Sequence, residues 1–441
     1  MVPHAARQYL RHIVDQEIPN GLKKYLELEL FPRIHLKPGK GVSLRTARRW
    51  LHREGFRFIE HKKSLYYDGH ERPDVVKYRQ ETFLPAMQKL QDRLVKYEVG
   101  NVSALVQPHR ANYVDRQLVL VAHDEMTAQA NDGRKKSWVL DGEHALKKKG
   151  AGRGMHQSDV ICSTIGWVAE ASQSLEYGKN YDGYWNGEMF VTQLKRKIIP
   201  ALEAAHGPGY QFLIVVDNSQ GHSAYAEDAL LVQRMNMRPG GQQARMRDGW
   251  YERDGHRIIQ PMVFPPDHAE HPGAAKGMKQ VLMERGLWIR GLVMKCRGDK
   301  KCDADATVCC ATRILELQPD FTEQRSLVQE VIEAAGHMCI FLPKYHCELN
   351  PIEFFWGVVK RYLREHCDYT FKTLQENLPI ALASVSKELI RKWEHRMIRW
   401  MEAYRSGLSA KDAQFQVKAF GTKRYKSHRR VPESLAAALD A

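Results

Sequence analysis

The chain has 441 residues, and its 67 Lys and Arg against 52 Asp and Glu give a formal net charge of +15 at pH 7. A chain of this length can form two or three domains, and its basic balance favours a nucleic-acid partner, although a basic protein without such a partner can have the same composition. The sequence has neither an apolar run of about eighteen residues nor a signal-peptide pattern, which argues against a membrane span and secretion, so its eight Cys are expected to be reduced thiols or metal ligands.

A basic helix over residues 43–55 is the first clear element. Ser43 is a good N-cap and Gly55 a good helix stop. Much of the surface of this helix is cationic, with Arg45, Arg48, Arg49, His52 and Arg53. The pattern fits either a helix that contacts nucleic acid or a solvated basic helix packed on a core. We assign residues 1–65 to an N-terminal domain.

A long helix is predicted next, from residue 73 to about residue 97. The apolar residues that indicate this helix are Val76, Tyr78, Phe83, Met87, Leu90 and Leu94. We assign residues 66–112 to a helical linker that leads into the following domain.

Two apolar runs each stop at an aspartate. Residues 118–124 end at Asp124, and residues 212–217 end at Asp217. Continuous apolar runs rich in β-branched residues are typical of strands covered on both faces. A carboxylate at the exit of such a strand lies on rigid backbone beside solvent, where a precise site is best built. The plain alternative is an Asp that begins a turn, and Glu125 is the alternative acid for the first run.

The segments between these runs predict further strands at residues 136–140 and 159–168, and a helix at residues 188–205. The resulting order is strand, strand, strand, helix, strand.

An insertion at about residues 223–340 separates Asp217 from the next informative segment. Helices are predicted in it at residues 279–288 and 323–335. Its four closely spaced thiols are Cys296, Cys302, Cys309 and Cys310. They are candidates for a tetrahedral zinc site, with His256, His268 or His271 as a substitute ligand; ordinary thiols are the alternative.

Residues 341–356 predict a loop that delivers Glu353 at the start of an amphipathic helix. Asn350 fits the N-cap and Pro351 the first helical position, so Glu353 falls in the first turn. The apolar stripe of the helix comprises Ile352, Phe355, Trp356, Val359 and Leu363. The alternative role of Glu353 is a capping box, in which its carboxylate bonds back to the Asn350 backbone N–H.

The C-terminal region, residues 369–441, is predicted to be helical from about residue 369 to residue 408. A basic tail at residues 423–430 follows. It fits a nuclear import signal, a phosphate-binding arm or solvated charge.

Three motifs carry a family resemblance. They are the His123-Asp124-Glu125 run, the segment from Asp217 through Asn218 to His222, and the segment 342–353 that ends at Glu353. Together they resemble the three signatures of mariner-like DDE transposases and related DDE superfamily endonucleases. The element order likewise resembles the ribonuclease H-like fold of that superfamily. The resemblance implies an α/β catalytic domain over residues 113–368, with a βββαβ core.

The resemblance also implies a site and a reaction. Asp124, Asp217 and Glu353 would converge to hold two Mg²⁺ or Mn²⁺ ions, with Asn218 and His222 in supporting roles; turn formation is the alternative for His123, Asn218 and His222. The implied activity is cleavage of phosphodiesters at transposon ends and transfer of the strand to target DNA. The implied location is the nucleus of a eukaryotic cell, or otherwise an intracellular location with DNA.

The basic helix at residues 43–55 resembles the recognition helix of the helix-turn-helix modules that precede DDE domains. In that role Arg45, Arg48, Arg49 and Arg53 would contact DNA. Mariner-like transposases are expected to carry two such units, whereas only one is expected here. The DNA-binding region is therefore expected to be shortened. A homodimer through the linker helix is a further expectation.

Two other functions fit the same residues. One is a transposase-derived DNA-binding protein that no longer catalyses cleavage. The other is a nuclease that acts on RNA or structured nucleic acid, which fold alone does not distinguish.

Overall fold

The computed structural model describes residues 25–35, 41–53, 69–106, 116–132, 150–219, 221–296, 302 and 306–421. The chain divides into two compact units, Met1–Tyr66 and Tyr67–Ala441. The strand predicted at residues 136–140, the basic tail at residues 423–430 and Gly55 lie outside the described residues.

The first unit contains two described helices. Helix α1 comprises Leu26–Leu30 and Phe31–Arg33, and α2 is Leu44–Arg53. The Ser43 hydroxyl accepts a hydrogen bond from the Thr46 backbone N–H at 3.1 Å, so the predicted N-cap is confirmed. The Glu27 carboxylate accepts a hydrogen bond from the Val42 backbone N–H at 2.7 Å and ties α1 to the segment before α2.

The second unit opens with the predicted linker helix. Helix α3 runs without a break through Pro73–Lys77, Tyr78–Phe83, Leu84–Leu90 and Gln91–Arg93. It ends four residues earlier than predicted, because the backbone becomes extended at Leu94 and forms a bridge with Leu118.

A mixed six-stranded sheet forms the centre of this unit. Its strands are β1 (Gln117–Gln129), β2 (Gly154–Cys162), β3 (Gly166–Trp167), β4 (Gln173–Tyr177), β5 (Tyr210–Val216) and β8 (Met338–Phe341). The strand order is β3-β2-β1-β5-β8, with β4 also paired to β2. Strand β1 is antiparallel to β2 and parallel to β5, and β5 is parallel to β8. The predicted α/β class with a central sheet is confirmed.

The first strand is longer than predicted. The prediction that it ends at Asp124 is wrong, because β1 continues to Gln129 while paired with β2. Asp124 therefore lies in mid-strand, opposite Asp159 of β2. The prediction for Asp217 is confirmed, since this residue directly follows β5.

Helices cover both faces of the sheet. On one face pack α4, which comprises Gly187–Gln193, Leu194–Ile198 and Ile199–His206, and α8 (Leu327–Ala334). On the other face pack α9 (Ile352–His366), α10 (Phe371–Ala383) and part of α11 (Lys387–Arg405). The predicted helix at residues 188–205 is confirmed as α4. The last described element is α12 (Ala410–Gly421).

The insertion has a small core of its own. Its elements are β6 (Gly249–Arg253), β7 (His256–Gln260), α5 (Met278–Glu284), α6 (Ala311–Glu316) and α7 (Pro319–Thr322). A buried ion pair between Arg285 and Asp320 joins α5 to α7, with two N–O distances of 2.8 and 2.6 Å. Residues 327–341, by contrast, form α8 and β8 and belong to the central sheet and its helical layer.

Among the described residues, no helix combines the length and the apolar character needed to cross a membrane.

Candidate functional site

The pleat of β1 separates its two neighbouring acids. Val119 and Val121 pack on the α4 side of the sheet, whereas Ala122 and Met126 pack on the α9 side. Because side chains alternate along a strand, Asp124 shares the α9 face, and Glu125 shares the α4 face with His123. The two acids that the sequence left as alternatives therefore lie on opposite faces of the sheet.

Asp124 and Asp217 lie at the same end of two neighbouring parallel strands. The ladder between β1 and β5 ends at the pair Ala122 and Val215, two residues before Asp124 and Asp217 on their respective strands. Asp217 directly follows β5, where the chain leaves the sheet. Its side chain contacts His222, which also contacts Glu125.

Asn350 fixes the start of α9 against β1. Its side-chain Nδ2 donates to the backbone carbonyl of His123 at 3.0 Å, and the residue is 2% exposed. The prediction that Asn350 caps α9 is wrong, because α9 begins at Ile352 after Pro351 and the amide is used across the fold instead. This bond places the first turn of α9, which carries Glu353, next to Asp124.

Glu353 lies on the open side of α9. The predicted apolar stripe of the helix is confirmed, with Ile352, Phe355, Trp356, Val359 and Leu363 buried. No described residue donates a hydrogen bond to the Glu353 carboxylate, so the capping-box alternative is not formed by the described residues. Gly357, one turn further along α9, faces open space.

The three carboxylates interact electrostatically. Burial, followed by the charges of Glu353, Glu125 and Asp217, raises the pKa of Asp124 well above its usual range. Partial burial also raises the pKa of Glu353; Lys360 opposes this shift and Asp217 adds to it. Like charges that act on one another in this way are costly without a nearby cation.

Trp356 orients Asp124. Its indole Nε1 donates to Asp124 Oδ2 at 3.2 Å. No described residue donates a side-chain hydrogen bond to the other oxygen, Oδ1, which leaves it available as a ligand atom. The sequence placed Trp356 only in the apolar stripe, and helical spacing gave no signal of this contact.

His222 bridges two acids. Its Nδ1 lies 2.5 Å from Asp217 Oδ1, and its Nε2 lies 2.9 Å from Glu125 Oε1. Burial alone would lower the pKa of His222, but hydrogen bonds to Asp217 and Glu125 raise it to about 10. The imidazole is therefore a cation at neutral pH, with both nitrogens occupied as donors.

The hydrogen bonds of His222 affect the pKa of both acids. Burial acts to raise the pKa of Asp217 and of Glu125, but the hydrogen bonds from His222 hold both below their usual range. The Trp185 indole also donates to Glu125 at 2.9 Å. Glu125 is thus engaged on the α4 face, while no described residue donates to Asp217 Oδ2.

The remaining predicted residues have structural contacts. Asn218 Nδ2 donates to the Leu342 carbonyl at 2.7 Å and ties the exit of β5 to the chain after β8. His123 is buried, stacks on Phe190 and lies 2.9 Å from the Ser158 hydroxyl. Burial lowers the pKa of His123 to about 4, so this residue is neutral.

Potential metal ligands come together in three described groups, each with ligand atoms within 4.8 Å of one another. They are Cys296 with Cys302, Cys309 and Cys310; His70 with His346 and Glu348; and His123 with Glu125 and His222. Asp124, Asp217 and Glu353 are not one of these groups. The charges of Glu353 and Asp217 act on the pKa of Asp124, and that of Asp217 acts on the pKa of Glu353; carboxylates that serve two different ions can be further apart than those that share one.

The chemistry of the donors distinguishes these groups. Mg²⁺ and Mn²⁺ prefer oxygen ligands, and Asp124, Asp217 and Glu353 supply only carboxylate oxygens. In the group with His123, both nitrogens of His222 are already bonded to carboxylates. The donor set of the three acids fits a pair of divalent cations better.

In the first unit, Arg45, Arg49 and Arg53 of α2 are exposed. The Arg48 side chain lies outside the described residues. Ala47 of the same helix is fully buried.

Residues 299–375 match the sequence profile of the DDE superfamily endonucleases. The matched segment contains β8, the loop after it and Glu353 on α9. The predicted resemblance to DDE superfamily endonucleases is confirmed. No match to the chain was found among the curated proteins.

Several solved structures of the Mos1 transposase are similar to the chain. A Mos1 paired-end complex with the left transposon end is 11% identical, with 92% of this chain and 79% of that chain covered and a TM-score of 0.45. Mos1 mariner paired-end complexes with Mn and with Mg are 12% and 11% identical, with TM-scores of 0.45 and 0.46. The comparison covers 91% and 92% of this chain, respectively, and 78% of each of those chains.

The His222 bridge predicts a stability effect. His222→Ala removes the cation between Asp217 and Glu125 together with one hydrogen bond to each acid, so the free energy of unfolding should fall by about 2 kcal/mol. Denaturant unfolding of the metal-free protein measures this change. His366→Ala, which removes an exposed imidazole from α9, should cost less than about 0.5 kcal/mol. Equal stabilities of the two variants would contradict the bridge.

Proposed function

We propose that the protein is a metal-dependent DDE endonuclease and transposase. In this proposal Asp124, Asp217 and Glu353 hold two Mg²⁺ or Mn²⁺ ions, and the protein cleaves DNA phosphodiesters at transposon ends and joins the strand to target DNA. The observation that supports the proposal is the contact of α9, which carries Glu353, with β1 beside Asp124, while Asp217 directly follows the neighbouring strand β5. The profile match, which includes Glu353, supports the superfamily.

The chemistry supplied by two bound divalent cations is activation of the attacking oxygen and stabilisation of the leaving oxygen of the phosphodiester. The protein contributes rigid placement of the ligands. Asp124 lies in mid-strand, paired with Asp159 of β2, and is oriented by Trp356. His222 fixes Asp217 through Oδ1 and leaves Oδ2 for a cation. No side chain is required as a covalent nucleophile, since water and then a DNA 3′-hydroxyl attack.

Glu353 completes the second cation site from α9. Asn350 holds the start of this helix to the backbone of β1, so the carboxylate keeps its position relative to Asp124. The open space at Gly357 leaves room for a DNA backbone to approach the helix beside Glu353. A phosphate there would face Lys360 as well, whose charge already acts on Glu353.

DNA recognition is assigned to α2. In this proposal α2 is the recognition helix of a helix-turn-helix unit, and its exposed arginines contact bases or phosphates in the major groove. The net charge of +15 provides a general attraction for DNA. We place the protein with DNA in the cell, in the nucleus if the cell is eukaryotic, and expect homodimers to pair two DNA ends.

Removal of one acid of the triad should abolish cleavage. Asp124→Asn, Asp217→Asn and Glu353→Gln each remove a negatively charged ligand, so nicking of plasmid DNA with Mg²⁺ or Mn²⁺ should fall by about a hundredfold or more, which corresponds to roughly 3 kcal/mol of transition-state stabilisation. Nicking should also stop when EDTA removes the cations.

The matched control lies on the same helix. Glu365→Gln neutralises another exposed acid of α9, two turns or more from the site, and should retain wild-type nicking. Full activity in Asp217→Asn or Glu353→Gln would contradict the proposed site. Salt-sensitive DNA binding by the wild-type protein without any cation-dependent nicking would favour the non-catalytic DNA-binding alternative. Preferential cleavage of RNA would favour the RNA nuclease.

The role of α2 predicts a change in salt dependence. Arg45→Ala, Arg49→Ala and Arg53→Ala combined should weaken DNA binding, and the slope of log affinity against log salt should fall by about 0.9 for each phosphate that the variant no longer neutralises. Fluorescence anisotropy with a labelled duplex at several salt concentrations measures both quantities.

A control of equal charge change separates direct DNA binding from general attraction. Lys77→Ala, Lys372→Ala and Lys411→Ala combined also remove three exposed cations, from other helices. This variant should bind DNA more tightly than the arginine variant. Equally weakened binding in the two variants would show that α2 contributes only net charge.

A further inference from the structure

Four thiols of the insertion meet in space. The Sγ atoms of Cys296, Cys302, Cys309 and Cys310 all lie within 4.8 Å of one another. These cysteines come from two segments, one shortly after α5 and the other leading into α6. None of the potential histidine ligands considered from the sequence belongs to this group.

The distances between the thiols suit one shared ion better than disulfides. Cys302 Sγ lies 3.7 Å from Cys310 Sγ, and Cys309 Sγ lies 3.9 Å from Cys310 Sγ. A tetrahedral Zn²⁺ with Zn–S bonds of about 2.3 Å separates its sulfur ligands by about 3.8 Å, whereas a disulfide requires about 2.05 Å. The neighbouring residues Cys309 and Cys310 therefore approach the same point without bonding to each other.

The backbone around the thiols is already held in place. Ala311 N donates to the Val293 carbonyl at 2.9 Å, and Thr312 N donates to the Met294 carbonyl at 3.0 Å. These bonds join the segment before Cys296 to the start of α6. Cys310 is fully buried, and the next residue, Ala311, belongs to the apolar core of the insertion.

We propose that Cys296, Cys302, Cys309 and Cys310 bind one structural Zn²⁺ ion that closes the segment between α5 and α6. Four sulfur ligands leave no open position on zinc, so this site holds the fold and takes no part in the chemistry. Soft thiolates select zinc, whereas the carboxylates of the triad select Mg²⁺ or Mn²⁺. The two kinds of site are chemically distinct and can be tested separately.

Zinc content tests the proposal directly. The full chain, produced with zinc in the medium and then dialysed against metal-free buffer, should contain about one zinc per chain by plasma mass spectrometry. Cys302→Ser and Cys309→Ser should each lose most of it. Cys367→Ser removes a thiol outside the group and should keep it, as should Asp217→Asn, which alters the triad.

A second measurement does not depend on the folding of any variant. Wild-type protein in which Co²⁺ replaces the zinc should show the absorption of a tetrahedral cobalt tetrathiolate, and zinc should displace it. Zinc below about 0.2 per chain, unchanged zinc in both Ser variants, or a cobalt spectrum without thiolate bands would each overturn the proposal. Loss of zinc in Asp217→Asn with retention in Cys309→Ser would place the ion at the triad instead, and would equally overturn it.

Discussion

Repulsion between carboxylates at one end of a rigid sheet is the constraint on which the site depends. The pairing of β1 with β5 puts Asp124 and Asp217 at the same end of neighbouring strands, and the bond from Asn350 to the β1 backbone holds the helix that carries Glu353 against β1. The fold cannot separate these acids without breaking strand pairing or moving α9 out of the apolar layer that buries Phe355 and Trp356. Burial, and after it the charges of Glu353, Glu125 and Asp217, raises the pKa of Asp124, and divalent cations are the natural means of offsetting this cost.

His222 reduces the repulsion between the carboxylates. As a cation between Asp217 and Glu125, it balances part of the negative charge and holds one oxygen of Asp217 away from the triad. Together with Trp185, it also holds the Glu125 side chain on the α4 face by hydrogen bonds. The two neighbouring acids of β1 thus have separate tasks, because the pleat directs them to different faces and different partners.

Much of this arrangement could be predicted from the sequence, because it follows from periodicity. The apolar run before Asp217, the long helix α4 and the stripe of α9 are each local patterns, and each was found. The extension of β1 beyond Asp124 was missed, since Glu125 and Thr127 interrupt the apolar run and only pairing with β2 keeps the chain extended. Asn350 was assigned to a helix cap because sequence shows a cap motif but cannot show a strand backbone that competes for the amide. The bonds from Trp356 and His222 join residues far apart in the chain, which no local pattern encodes.

Anomalous diffraction from crystals soaked in Mn²⁺ tests the central claim most directly. Two peaks about 3.5–4 Å apart are predicted, each within about 2.5 Å of carboxylate oxygens, with Asp124, Asp217 and Glu353 as their ligands. An absence of peaks beside these acids, or a single peak enclosed by His123, Glu125 and His222, would contradict the account.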